Sequence, residues 1–284
     1  MIVAGVDGSR AGFEAAAWAA REAAMRHVPL RVVHVLPAWV CEVSEGDRLG
    51  GVAAWMRVNA STVLAEALAW ATPEALDVPV DSALLPGDPR QALIEAAGDA
   101  DLLVLGNHGL GGFRGLLLGS VAYGTVAHAT GDVVVVRETP RSPYGSVVAG
   151  VDGSPLGRRV VEFAMAEAAL HGAPLRAVHA WSPSQAGSVL TPGPGELGEE
   201  QSEARLLGEA LAGLRERYPD VRVIDEVVRA HPVEALRAAS DGAELLVVGS
   251  HGGGRFSGLI LGSVSQAMLY HATCPLAVVK LRGP

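Results

Sequence analysis

The seven residues Val3-Ala4-Gly5-Val6-Asp7-Gly8-Ser9 recur letter for letter, 145 positions later, as Val148-Ala149-Gly150-Val151-Asp152-Gly153-Ser154. Downstream, Leu102–Arg137 aligns without a gap on Leu245–Lys280, at an offset of 143, with 19 of 36 positions identical. Both ends of the repeating unit match, and at about 140 residues it is too long for a solenoid repeat and right for a domain. The 284-residue chain therefore reads as two copies of one globular domain, 1–141 and 142–284. The join falls in 138–145, where two prolines and a glycine interrupt the apolar pattern.

Within each copy, short β-branched runs alternate with longer helical stretches. In the first, Ile2–Val6, Arg31–Leu36, Val80–Leu85, Leu102–Leu105 and Val133–Val136 read as buried strands. Between them Ala11–His27, Ala53–Ala71, Pro89–Ala97 and Ser120–Ala129 read as helices, with Ser9 capping the first and Pro89 opening the third. The second copy repeats the order, with strands at Val147–Val151, Leu175–Ala180, Val221–Val228, Leu245–Val248 and Leu276–Val279. Strict alternation of strand and helix predicts an α/β domain with an open five-stranded parallel sheet and helices on both faces. The least regular stretches, Pro37–Gly51 and Pro183–Gly198, read as surface loops.

Composition narrows the function classes. Hydrophobic residues make up 49% and charged residues 19%, enough apolar material for a packed core and too little charge for disorder. The net charge is −9, and Lys280 is the only lysine, so no basic surface offers itself to nucleic acid or to an anionic membrane. No apolar run reaches the roughly 18–20 residues of a membrane helix. The opening MIVAGVDGS has no basic region ahead of an apolar one, and the expected location is cytoplasmic. Cys41 and Cys274 are too few for a disulfide framework or a zinc site.

Ligands of such sheets sit outside the carboxyl ends of the strands, where the strand order reverses. Two segments of each copy land there. The first strand leaves through Asp7-Gly8-Ser9, or Asp152-Gly153-Ser154, a carboxylate with turn-forming neighbours. The fourth strand ends in Gly106-Asn107-His108-Gly109, then nine residues pass before Gly119-Ser120 opens a helix. The second copy has Gly249-Ser250-His251-Gly252, again nine residues, then Gly262-Ser263. Five glycines fall in 106–115 and five in 249–258, more than a tight turn requires. Glycines here allow positive φ and let backbone N–H groups approach a ligand without a Cβ in the way. The Gly-Ser pair adds a hydroxyl and free N–H donors at the positive end of a helix dipole, a cradle suited to phosphate. A Walker loop is excluded because Lys280 lies in a terminal strand, and Gly5, Gly8 and Gly12 have the wrong spacing for a dinucleotide fingerprint.

The G-x-x-G, nine residues, G-[ST] pattern after the fourth strand resembles the ATP-binding signature of universal stress proteins, and Asp7 and Asp152 match that family's aspartate at the close of the first strand. The resemblance spans essentially the whole chain. It implies two tandem Rossmann-like, adenine nucleotide α-hydrolase-like domains with strand order 3-2-1-4-5. It further implies an ATP-binding regulatory protein, not an enzyme beyond weak ATPase activity, holding one nucleotide per domain with magnesium. The triphosphate would lie on Gly106, Gly109, Gly119, Ser120 and Val121, and on Gly249, Gly252, Gly262, Ser263 and Val264. Asp7-Gly8 and Asp152-Gly153 would sit by the ribose or a magnesium ion, which the sequence does not separate. Main chain at Val35 and Ala180 would meet adenine, and His108 and His251 would line the phosphates. Arg114 is a candidate for the γ-phosphate, but it aligns with Ser257, while Arg255 aligns with Gly112, so the two sites differ there. A homodimer and a regulatory protein partner are expected.

Other readings rank lower. An enzyme that cleaves or transfers the α-phosphate would carry a different loop after the first strand, and Asp7-Gly8-Ser9 is not it. A slow ATPase, a cyclic-AMP binder, and an interaction module without nucleotide are the alternatives. His128 and His271 suit the negative ends of their helices, and His34 and His179 read as core or rim residues of the second strands.

Overall fold

A computed structural model of the chain describes residues 1–44, 46–75, 77–110, 118–137, 145–182, 194–252 and 260–281, with backbone alone for 194–198. The chain divides into two compact units, Met1–Glu138 and Thr139–Leu281. The expected join at 141/142 falls in 138–144, outside the described residues.

In the first unit β1 (Ile2–Gly5), β2 (Leu30–Leu36), β3 (Val80–Pro86), β4 (Leu102–Gly106) and β5 (Val133–Val136) line up in the order β3-β2-β1-β4-β5. In the second, β6 (Val147–Val151), β7 (Leu175–Trp181), β8 (Val223–Arg229), β9 (Leu245–Gly249) and β10 (Leu276–Val279) give β8-β7-β6-β9-β10, the same pattern. Neighbouring strands within each unit run parallel. The strands β1, β4, β5, β6, β9 and β10 are nearly wholly buried, as their unbroken Val, Leu and Ala runs require of strands covered on both faces. The order reverses between β1 and β4, and between β6 and β9, which opens a crevice at their carboxyl ends.

The first crossover helix, α1 (Arg10–Arg26), starts at Ser9, whose Oγ accepts the Gly12 N–H at 3.1 Å. Its counterpart α6 (Pro155–His171) starts the same way on Ser154, 3.0 Å from Gly157 N. Both helices end in a left-handed residue: Gly172 at φ 60° closes α6, and His27 at φ 53° closes α1. The helices α4 (Pro89–Ala96) and α9 (Pro232–Ala239) each open on proline, and α5 (Ser120–His128) and α10 (Ser263–His271) follow the glycine loops. Gly5 and Gly150 let α4 and α9 reach the sheet, since a Cβ would come 2.7 Å from Leu93 Cδ2 and 2.9 Å from Leu236 Cδ1.

Two expectations are corrected. Pro37–Gly51 is not simply a loop: Ala38–Glu42 forms the short helix α2 ahead of α3 (Gly50–Ala71). Val40 is completely buried against Leu36, Ala53 and Ala60, and Arg57 Nη1 donates to its carbonyl at 2.6 Å. Five residues are too few to show a helical period in sequence. Likewise Pro194–Gly198, read as loop, begins α7 (Pro194–Leu211), with the proline at the first helical position where no N–H is needed. Residues 183–193 lie outside the described residues. The short helix α8 (Leu214–Arg217) follows α7. Among the described residues, no helix is long and apolar enough to cross a membrane.

Candidate functional site

The turn after β1 is built around Asp7. Its Oδ1 accepts the Ser9 N–H at 3.0 Å and the Ser9 hydroxyl at 2.6 Å, and Gly8 supplies the left-handed residue at φ +88°. Asp152 does the same for Ser154, at 3.0 and 2.7 Å, with Gly153 at φ +72°. Such aspartate turns are local chemistry. The long-range contact is not local: Asp7 Oδ2 accepts the Leu110 N–H at 3.0 Å, tying the β1 turn to the loop after β4.

Positive φ, which glycine allows in that loop, is not what these glycines supply. Gly106, Gly109 and Gly119, with Gly249, Gly252 and Gly262, are absent from the positive-φ residues; Gly119 sits at φ −78° and Gly262 at −67°. Close approach explains them instead. A Cβ on Gly106 would lie 2.7 Å from the Ala11 carbonyl carbon, in the first turn of α1, and one on Gly249 would lie 2.9 Å from Leu156 Cδ2. On Gly109 it would collide with Asp7 Oδ2, and on Gly252 it would lie 2.9 Å from Asp152 Oδ2. Gly119 and Gly262 pass under the loop, with His108 Cα and His251 Cα only 3.3 and 3.2 Å from their missing Cβ positions.

The donors are also redistributed. Gly119 N–H is spent on the Asn107 carbonyl and Gly262 N–H on the Ser250 carbonyl, each at 2.7 Å. The first turns of α5 and α10 therefore present the N–H groups of Ser120 and Val121, and of Ser263 and Val264, ahead of the intrahelical ladder.

In the second unit these pieces enclose a cavity of about 620 Å³. Asp152, Ala180, Gly249, His251, Gly252, Gly262, Ser263 and Val264 all line it. Gly153 does not; it turns the chain where a Cβ would meet Leu206 at 2.6 Å. Sequence reasoning missed the apolar floor, to which Val160, Val178, Pro232 and Leu236 contribute. The signal for α9 was Pro232 and Leu236, four apart on one helical face after the third strand of the unit, indistinguishable by pattern from ordinary core. In the first unit Asp7, Gly8, Gly106, His108, Gly109, Gly119, Ser120 and Val121 occupy the matching turn, loop and helix start. Val35 stands at the carboxyl end of β2, opposite Leu85. Arg114 lies in 111–117, outside the described residues, as do Gly112, Arg255 and Ser257.

The strand histidines have a structural task. His34 Nδ1 lies 2.8 Å from the Val6 carbonyl and His179 Nδ1 lies 2.7 Å from that of Val151, each fixing the residue just before the aspartate. His179 Nε2 is also 2.7 Å from Glu203 Oε2 on α7. His128 Nδ1 meets the Gly124 carbonyl at 2.8 Å in the last turn of α5.

The family model described as the universal stress protein family matches residues 1–137 and again 143–280. A universal stress protein of Mycobacterium tuberculosis is 38% identical over 288 residues, covering 98% of this chain and 96% of its own. One of Mycolicibacterium smegmatis is 36% identical over 287 residues, covering 99% and 97%. The crystal structure of a universal stress protein from Archaeoglobus fulgidus superposes with a TM-score of 0.70 over 99% of this chain and 98% of its own, at 18% identity, a likeness of fold. With both halves matched and the sheet order repeated, the chain belongs to the universal stress protein family, carrying two of its domains in tandem.

Proposed function

We propose that this protein is a nucleotide-responsive regulator that binds ATP with magnesium, one nucleotide per unit, and acts through conformation or partner binding. The observation that carries the reading is the cavity of the second unit, lined by Asp152 of the β6 turn, by Gly249, His251, Gly252, Gly262, Ser263 and Val264 of the glycine loop and helix start, and by Ala180 near the end of β7. Its volume of about 620 Å³ is in the range of small-molecule sites. Val151, Val178 and Leu236 offer an apolar floor for a base, and the main chain at Ala180 offers its edge hydrogen bonds. Ser263, Val264 and Gly252 offer donors to phosphate at the positive end of α10.

The described lining residues include no lysine or arginine. Helix-end partial charges alone do not neutralise a triphosphate, so a divalent cation belongs to the reading. The Asp7 carboxylate is engaged by Ser9 and Leu110, and in the regulatory reading it holds the β1 turn to the loop after β4.

Titration calorimetry with a non-hydrolysable ATP analogue and magnesium tests the proposal; about two nucleotides per chain are expected. No heat of binding with ATP, cyclic AMP or AMP refutes it, and multiple-turnover release of AMP or ADP from ATP refutes the regulatory part.

A further inference from the structure

We propose that the second unit carries a proton-dependent latch: Glu203 of α7 grips His179 of β7, and His179 holds the main chain that leads into Asp152. This inference does not rest on nucleotide binding.

The His179 ring is held at both nitrogens. Nδ1 lies 2.7 Å from the Val151 carbonyl oxygen, and Nε2 lies 2.7 Å from Glu203 Oε2. A carbonyl oxygen only accepts, so Nδ1 carries a hydrogen and donates it. In a neutral ring Nε2 would then turn a bare lone pair on a carboxylate oxygen. Contact at this distance needs a proton between the two atoms, whether it sits on the ring or on the carboxyl. The His179 side chain is 7% exposed and that of Glu203 29%, so little water is at hand to replace the bond.

The other charged groups of the surrounding elements are exposed or have partners of their own. On β8 the residue opposite His179 is Val227; Asp225 accepts from Arg215, Glu226 accepts from Arg176, and Arg229 lies over the Trp181 ring. Asp152, in the turn after β6, accepts from Ser154. Arg158 and Glu162 of α6, and Glu199, Glu200 and Arg205 of α7, are exposed. The helix α9 covers the opposite face of β7, and its Glu234 and Arg237 are exposed.

The first unit has the framework without the carboxylate. His34 Nδ1 makes the same bond to the Val6 carbonyl, at 2.8 Å. A Cβ on Gly8 would meet Val63 of α3, as one on Gly153 would meet Leu206 of α7, which sets the two helices in register. Three residues back, Ala60 stands where α7 has Glu203, and it is buried with Val40 and Ala53. Every molecule therefore contains its own control.

Losing the shared proton sets two lone pairs face to face. Helix and strand then separate, and the ring that holds Val151 loses its outer support. As pH rises, α7 and the turn carrying Asp152 should loosen together, at the rim of the cavity that Asp152 lines.

Amide hydrogen exchange of the full chain tests this, read as protection factors so that intrinsic base catalysis cancels, between a pH of about 6 and about 9. Protection of residues 200–211 in α7 should fall about tenfold or more across that range, the worth of one charge-assisted bond, while α3 stays level. Residues 151–157 should loosen with α7. The amide of Glu203→Gln can donate to the bare Nε2, so this variant should keep α7 protected at the upper pH and flatten the profile. Glu203→Ala, with circular dichroism as the check on folding, should leave α7 weakly protected at both ends. A wild-type α7 whose protection does not fall overturns the proposal. So does a fall matched in α3, a fall that Glu203→Gln leaves in place, or a 151–157 segment that stays level while α7 loosens.

Discussion

Substituting Gly262 by alanine tests the phosphate cradle with a single methyl group. At φ −67° the backbone of Gly262 suits any L residue, so no torsional strain enters. The added Cβ would stand 3.2 Å from His251 Cα and 3.4 Å from both Gly252 N and Ser250 O. All three are backbone atoms, so the loop itself must retreat by a few tenths of an ångström. The 2.7 Å hydrogen bond from Gly262 N–H to Ser250 O opposes that retreat. If the bond is lost, stability falls by about 0.5–1.5 kcal/mol, a shift of a few degrees in Tm. Binding should suffer more. Losing two charge-assisted bonds to phosphate at roughly 1.5–3 kcal/mol each weakens affinity about 100-fold or more. Calorimetry should therefore find one nucleotide per chain in Gly262→Ala, and none in the micromolar range when Gly119→Ala is added. Gly208→Ala is the control: it lies in α7 with open space at its Cβ, so it should leave binding alone and stabilise the helix by about 0.5–1 kcal/mol. A folded Gly262→Ala, Gly119→Ala protein that binds two nucleotides as tightly as wild type would refute the placement of the phosphates.

Two further outcomes follow from local geometry. His27 is exposed and holds the left-handed cap of α1 at φ 53°, the position that Gly172 fills in α6, so His27→Gly should raise stability by about 1 kcal/mol in urea melts. Asp88 caps α4, and its hydrogen bond from Arg90 holds its carboxyl below the usual carboxylate range. A depressed folded value means this stabilisation is complete above the unfolded pKa, near 4, and is lost as pH falls through the folded value. Asp88→Asn should accordingly flatten the acid limb of the stability profile below a pH of about 5.

The strands and their alternation with helices were legible because Val, Leu and Ala runs such as Val133–Val136 have no other stable use than a doubly covered strand. The spacing from Gly109 to Gly119 was legible as a loop that returns to a helix start. Its physical reason was not. Whether a glycine serves a positive φ or a close contact depends on which backbone passes overhead, and His108 above Gly119 is a tertiary fact. The same holds for the N–H of Gly119, which sequence offers to a ligand and the fold gives to Asn107. Val40 was hidden because a five-residue helix leaves no period, and Leu236 because an apolar residue facing a cavity looks like one facing a core.

The Asp7 carboxylate also has a mechanical consequence. One of its oxygens holds Ser9, which caps α1, and the other holds Leu110 in the loop beyond β4. Gly106, at the root of that loop, lies against Ala11 in the same helical turn. Loop and helix start are thus geared together, with one carboxylate as the tooth between them. Leu110 is thereby joined to the near end of a 17-residue rod. At 1.5 Å per residue that rod is about 25 Å long and buried at Ala15, Ala19 and Ala23, so one carboxylate fastens the loop beyond β4 to the packed core of the unit.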